Sequence, residues 1–168
     1  MSEPYSFTIA SRLKAPAARV WEHASTFAGV NRERRPLARM THPRAIPALT
    51  PESFPPGRVA FRSWILLFGV VPVEYDDVTL VELVAGRGFR EASRMMLVRQ
   101  WRHSREVSPE GAECCSLRDE VALVPRWRRT GPLLYHVYRL VFALRHRALR
   151  RMFGGGALPV RPGVVGNP

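Results

Sequence analysis

Tyr5, Phe7, Ile9, Ser11 and Leu13 alternate with polar or small residues, a period of two that predicts an opening β-strand. The pattern then changes in "KAPAARVWEHASTFAGVNRERRPL", where Val20, Trp21, Ala24 and Phe27 fall at helical spacing behind Pro16, which suits a first helical turn. A short helix is expected here, broken near Gly29, with a second helix ending by Pro36. A short strand at Leu37 to His42 precedes a loop to Gly57 that holds five prolines. Strands are predicted at Arg58–Leu66, Val71–Val84, Gly88–Met96, Val98–Val107 and Glu113–Val124. Turn residues separate them at 68–69, 85–88 and 108–112, which makes an antiparallel meander. "TGPLLYHVYRLVFALRHRALRRMFGGG" closes the pattern as a long helix, with Thr130 as N-cap, Pro132 in the first turn and the glycines at 154–156 as the stop. Leu134, Val137, Val141, Leu144, Ala148 and Met152 line one stripe of it, and Arg139, His146, Arg147 and Arg150 lie roughly opposite. Nothing periodic follows, so residues 1–153 read as one domain and 154–168 as a disordered tail.

Composition narrows the class. The chain has 168 residues, 46% hydrophobic and 24% charged, the balance of a single globular domain. Its longest apolar run, "WILLFGVVPV" from Trp64 to Val73, is about half of the ~20 residues that span a bilayer, so no transmembrane helix is expected. The start of the chain lacks the basic and apolar blocks of a signal peptide, and two adjacent cysteines, Cys114 and Cys115, are poorly placed to bond to each other. A cytoplasmic location fits both. With no CxxC or HxxxH pair, neither a metal site nor another cofactor is indicated.

Charge is uneven. The net charge is +12, and after Glu120 no acidic residue occurs while nine arginines do. Such an excess attracts anionic surfaces through a salt-sensitive field, and an Arg-rich C-terminal helix could dock on anionic membrane. Codon bias is a competing explanation, since 25 of the 26 basic residues are arginine. Nucleic acid is not favoured, because no aromatic-rich RNA motif or recognition-helix pair accompanies the charge.

A strand, two short helices, antiparallel strands and a long last helix predict an α+β helix-grip fold, a curved sheet wrapped around that helix with room for an apolar cavity between them. "LKAPAARVWEHAST", with Val20 and Trp21 on the first helix, resembles the opening of START-like (SRPBCC) proteins. That superfamily includes plant pathogenesis-related allergens, lipid-transfer START domains, polyketide cyclases and dehydratases, and coenzyme Q-binding carriers. The resemblance runs from Tyr5 to Phe153. "RQWRHSREV", "LRDEVALVPR" and "FALRHRALRRMF" resemble a bacterial branch that offers no settled catalytic residues to carry over. "AGVNRERRPL" lacks the tryptophan often found there in relatives.

Strand parity supplies the candidate site. Counting by twos puts Trp101, His103 and Arg105 on one face, then Cys115, Leu117, Asp119, Val121 and Leu123, then Phe89, Glu91, Ser93 and Met95. Glu91, His103, Arg105 and Asp119 thus fall on the face that should be core, where an uncompensated charge is costly. Three readings follow. The four groups pair with one another near an open end of the sheet; or they anchor the polar end of a ligand such as a lipid, quinone or polyketide-like molecule; or His103 exchanges a proton with Asp119 or Glu91 orienting it, as a cyclase or dehydratase requires. Trp64, Tyr75, Phe89, Trp101, Leu117 and Tyr138 are the expected walls of a ligand cavity, and His23 flanks its entrance or a solvated face. No GxSxG, GxxxxGK or strand-following GxGxxG supports nucleophilic or nucleotide chemistry.

Overall fold

The computed structural model describes residues 3–160. Strand β1 (Tyr5–Leu13) leads into helices α1 (Ala17–Ala24) and α2 (Phe27–Arg34). Seven strands follow: β2 (Ala38–Met40), β3 (Phe61–Leu67), β4 (Val71–Val78), β5 (Leu80–Val84), β6 (Gly88–Met95), β7 (Val98–Pro109) and β8 (Cys115–Pro125). A 3-10 turn at Arg128–Thr130 then opens the long helix α3 (Gly131–Phe153), and β9 (Gly155–Leu158) comes last. The strands form one antiparallel sheet in the order β2-β3-β4-β6-β7-β8-β1-β9, with β5 beside β6. This is the expected helix-grip arrangement, with α3 packed on β1 and β8.

Alternation decides the core. Along β7 and β8 every second residue is buried, and Leu117, Leu123, Val98 and Val107 are almost wholly enclosed. Each such aliphatic side chain contributes about 1.5–3 kcal/mol. One apolar cluster joins Phe7, Trp101, Leu123, Leu134 and Phe142 at the start of α3, and a second joins Leu13, Val20, Leu117 and Leu149 at its end. A third, around Phe27, Phe54, Val78 and Leu80, lies under α2 and the proline-rich loop. Between the first two, the inward face of α3 carries Arg145 and His146.

Several expected details are corrected. The helical break falls at Ser25–Thr26 rather than Gly29: the Thr26 side chain caps α2 by accepting from the Gly29 N–H at 3.0 Å. Gly29 sits in the first turn of α2, where a Cβ would lie 1.9 Å from the His23 carbonyl oxygen, so its value is close approach of α1 and α2. Thr130 does not cap α3. It lies in the 3-10 turn with helical dihedrals, and its hydroxyl donates to the Trp127 carbonyl at 2.8 Å. The strand expected over 71–84 is divided at Thr79, whose N–H donates to the Ser93 hydroxyl instead of continuing the ladder.

Two corrections matter more. The buried stripe of α3 is Leu134, Phe142, Arg145, His146 and Leu149, while Val137 and Leu144 face solvent, a rotation of roughly a quarter turn from the expected stripe. His146 therefore points inward, not outward. The tail expected after Phe153 is also structured at its start: Gly154 turns the chain at φ 74°, and β9 pairs antiparallel with β1 from Gly155 opposite Leu13 to Leu158 opposite Ala10. Residues 161–168 of that expected tail lie outside the described residues.

Candidate functional site

The register of β7 on β8 sets Arg105 opposite Asp119, both on the inward face. Arg105 grips Asp119 with two parallel hydrogen bonds, Nε to Oδ1 at 2.8 Å and Nη2 to Oδ2 at 2.7 Å. His103 Nε2 donates to the same Oδ1 at 2.9 Å, and His146 Nε2, from α3, donates to Oδ2 at 3.0 Å. Four donors fill the approximately four lone-pair sites of one carboxylate. Asp119 is thus a saturated anionic hub that ties β7, β8 and α3 together. Behind His146, the Ser11 hydroxyl lies 2.8 Å from Nδ1 and accepts from Arg150 Nη1 at 2.8 Å.

The free edge of Arg105 reaches α2. Its Nη1 donates to Glu33 at 3.1 and 3.2 Å, and Arg145 of α3 donates to Glu33 Oε2 through Nε at 3.0 Å, with Nη2 in ion-pair contact at 2.8 Å. Thr26 starts α2 and Gly29 lets it close on α1, which places Glu33 one turn later over the middle of α3. The electrostatics follow. Burial alone would push both carboxyls up; for Asp119 the Arg105 charge and the hydrogen bonds from Arg105, His103 and His146 outweigh it and hold the group well below the carboxylate range. Arg105 and Arg145 do the same for Glu33. Arg145 is itself pulled down by burial and by the Arg105 charge, with Glu33 and Asp119 opposing.

A second constellation lies on the other side of His103, whose Nδ1 is 3.5 Å from Glu91 Oε2. Glu91 Oε1 accepts from the Ser93 hydroxyl at 2.7 Å, and Asp76, inward on β4, is buried close enough to feel the Glu91 charge. Burial and then the Glu91 charge push Asp76 well above its ordinary value. Arg34, at the end of α2, faces Asp76 and Glu91; burial and the Arg145 charge bring its pKa down to about 9. Unlike Asp119, these groups are not saturated: Arg34 Nε and Asp76 Oδ1 are enclosed without a hydrogen-bond partner. Further along β4, Glu74 accepts from the N–H groups of Met96 at 2.7 Å and Leu97 at 3.2 Å and from the Tyr138 hydroxyl at 3.1 Å, while burial raises its pKa.

The structure brings together Glu91, His103, Arg105 and Asp119 as parity requires. Phe89 meets His103 edge-on at 5.2 Å, and Trp101 packs at 4.9 Å on Tyr138. Leu117 is buried in the second apolar cluster, away from the Asp76 side. Trp64 and Tyr75 are corrections: they are paired across β3 and β4 on the outer face, Trp64 is 41% exposed, and Arg62 lies 4.1 Å over the Tyr75 ring. Their inward neighbours are Ser63, Glu74 and Asp76. Sequence reasoning missed Glu33, Arg34, Glu74, Asp76, Arg145 and His146. The available signal was the second stripe of α3, Leu134, Tyr138, Phe142 and Leu149, which carries the bulkier side chains and passes through 145–146.

His23 lies in a groove of about 380 Å³ lined also by Arg19, Glu22, Arg32, Met152 and Phe153. Its Nε2 is 3.5 Å from Glu33 and makes no hydrogen bond. Among the described residues no group of three or more His, Cys, Asp and Glu is arranged to hold a metal ion, and no helix is long and apolar enough to cross a membrane.

Solved structures share this architecture. The Zhui aromatase/cyclase from Streptomyces sp. R1128 aligns over 89% of this chain and 96% of its own with a TM-score of 0.66 at 13% identity. A START superfamily protein from Mycobacterium smegmatis aligns over 88% and 96% with a TM-score of 0.63 at 7% identity. A protein from Thermobifida fusca aligns over 89% and 93% with a TM-score of 0.63 at 20% identity. At these identities the likeness establishes the START-like fold and nothing finer. No curated protein matches the sequence. Residues 11–153 match the family described as "Domain of unknown function (DUF8410)", and the chain belongs to that family, with a START-like, helix-grip fold.

Proposed function

We propose that the protein binds a small molecule with an apolar body and a hydrogen-bonding head, held between the sheet and α3 with the head at Asp76, Glu91 and Arg34. The observation that carries this reading is the contrast between two neighbouring buried constellations. Asp119 and Glu33 are fully answered by arginines and histidines, whereas Arg34 Nε and Asp76 Oδ1 have no partner. A buried polar atom without a partner costs about 1–3 kcal/mol, so a ligand group that meets both recovers that energy on binding. A carbonyl or phenolic hydroxyl fits, since burial and the Glu91 charge favour the protonated, donating form of Asp76 and Arg34 offers an N–H. A quinone or polyketide-like body suits the walls, where Phe89 of β6 and Phe142 of α3 meet His103 edge-on at 5.2 and 5.0 Å. The START-like fold supports the same reading, and both free cysteines fit a reducing cytoplasm. Protein purified without denaturation and extracted into organic solvent should yield such a molecule by mass spectrometry. Asp76→Ala should then lower its occupancy at least tenfold, and equal occupancy in the variant would refute the placement.

A second reading, acid–base catalysis of the cyclase or dehydratase type, is favoured by one observation: His103 lies between Asp119 at 2.9 Å and Glu91 at 3.5 Å. Because Asp119 is saturated, Glu91 is the partner with capacity to exchange. Glu91→Gln separates the readings: catalysis predicts a loss of 10² or more in kcat with little change in affinity, binding alone predicts a change in affinity.

A further inference from the structure

The face of α3 turned away from the sheet is not the charged surface that a gripped helix needs. Leu133, Val137, Leu140 and Leu144 are 66%, 45%, 58% and 39% exposed. At about 100° per residue these four fall within an arc of roughly 60°, a continuous apolar stripe along three turns. The buried stripe of Leu134, Phe142, Arg145, His146 and Leu149 lies on the opposite side, so the outer stripe owes nothing to the core. In the next two turns Arg147 and Arg151, both exposed, continue along this arc. Ahead of it stand the exposed Arg128, Arg129 and Trp127.

We propose that this face docks the protein on the surface of an anionic phospholipid bilayer, with Leu133, Val137, Leu140 and Leu144 entering the acyl boundary and Trp127, Arg147 and Arg151 at headgroup level. Three observations converge on a lipid occupant. The outer face sets an apolar stripe beside arginines, the pattern of an interfacial helix. The flanking charge is of one sign, since no acidic residue follows Glu120. A tryptophan at the stripe's end suits the membrane–water interface. Codon bias would explain arginine over lysine, but not leucine and valine in register on the solvent side.

The test is co-sedimentation of the full chain with phosphatidylcholine vesicles, with and without phosphatidylserine. Binding should require phosphatidylserine and weaken sharply as salt rises from ~0.1 M to ~1 M, where the screening length shrinks from ~10 Å to ~3 Å. The pair Arg147→Gln and Arg151→Gln should lower the partition coefficient about thirtyfold, at roughly fivefold for each arginine near an anionic surface. Leu140→Gln should lower it at least tenfold without changing the thermal melt, because Leu140 supports no core contact. Lack of binding to phosphatidylserine vesicles, or binding indifferent to salt and to either variant, would overturn the proposal. So would a stable dimer in sedimentation equilibrium that Leu140→Gln dissociates, because the stripe would then be covered by a second copy.

Discussion

Replacing Asp119 by asparagine keeps the shape of the hub and removes its charge. Four donors converge on the carboxylate: Arg105 twice, at 2.8 and 2.7 Å, His103 at 2.9 Å and His146 at 3.0 Å. The amide places an NH2 group where one pair of donors stood, so at least two of these bonds become donor-against-donor contacts, and Arg105 is left with Glu33 alone. Breaking a buried pair by removing one partner costs about 3–5 kcal/mol, a large part of the ~5–15 kcal/mol that holds a domain together. Urea denaturation followed by far-ultraviolet circular dichroism should show that loss at pH 7. The pH dependence carries a second signature. Because the folded-state pKa of Asp119 lies below its unfolded value, its contribution is present above pH ~4 and disappears as the pH falls through the folded value. Asp119→Asn should therefore be less sensitive to acid than the parent. A paired Arg105→Met, Asp119→Leu replacement, which removes both charges, should cost less than Asp119→Asn alone. A loss under about 1 kcal/mol in Asp119→Asn would refute the hub, since a screened surface pair behaves that way.

Other substitutions probe other parts of the molecule. Asp76 is perturbed in the opposite sense: its folded pKa is raised, so its contribution is full below pH ~4 and is lost as the pH rises through the folded value. Asp76→Asn should therefore raise stability at neutral pH and flatten its decline with pH, measured by the same urea titrations. Gly29→Ala would set a Cβ 1.9 Å from the His23 carbonyl oxygen, and a loss of about 1–3 kcal/mol is expected from the displaced α1–α2 contact. Trp101→Ala should cost about 3–5 kcal/mol, whereas Trp64→Ala, on the outer face, should leave the occupancy of any bound small molecule unchanged.

Strand parity was legible because one face of β7 and β8 is wholly enclosed, which leaves the register no freedom: a shift of one residue would expose Trp101, Leu117 and Val121 together. Aromatic character misled at β3 and β4, where Trp64 and Tyr75, expected as cavity walls, point outward and the inward positions belong to Glu74 and Asp76. Hydrophobicity marks a core face only while the core is apolar, and here it is partly ionic. The same cause rotated the reading of α3. Two stripes of that helix are apolar, and the all-aliphatic one was preferred, but the strands' buried charges required Arg145 and His146 from the other. Glu33 was hidden for a related reason, since an acid in the run "NRERRPL" looks like part of a solvated helix end. Its partners are 72 and 112 residues away in sequence. β9 left no trace because its bonds are main-chain and its residues carry almost no side chain.

That last strand bears on how the protein keeps to itself. β1 lies next to the edge of the sheet, and β9 covers its outer side from Leu13 to Ala10. Gly155 makes the fit, because a Cβ there would stand 2.0 Å from the Arg12 carbonyl oxygen. At the far edge β2 is only three residues long, too short to template another strand. A chain ended after Phe153 would keep its helix and its ionic core but present an uncovered row of N–H and C=O groups on β1. The foreseeable damage from such a deletion is strand exchange between molecules and self-assembly, not unfolding.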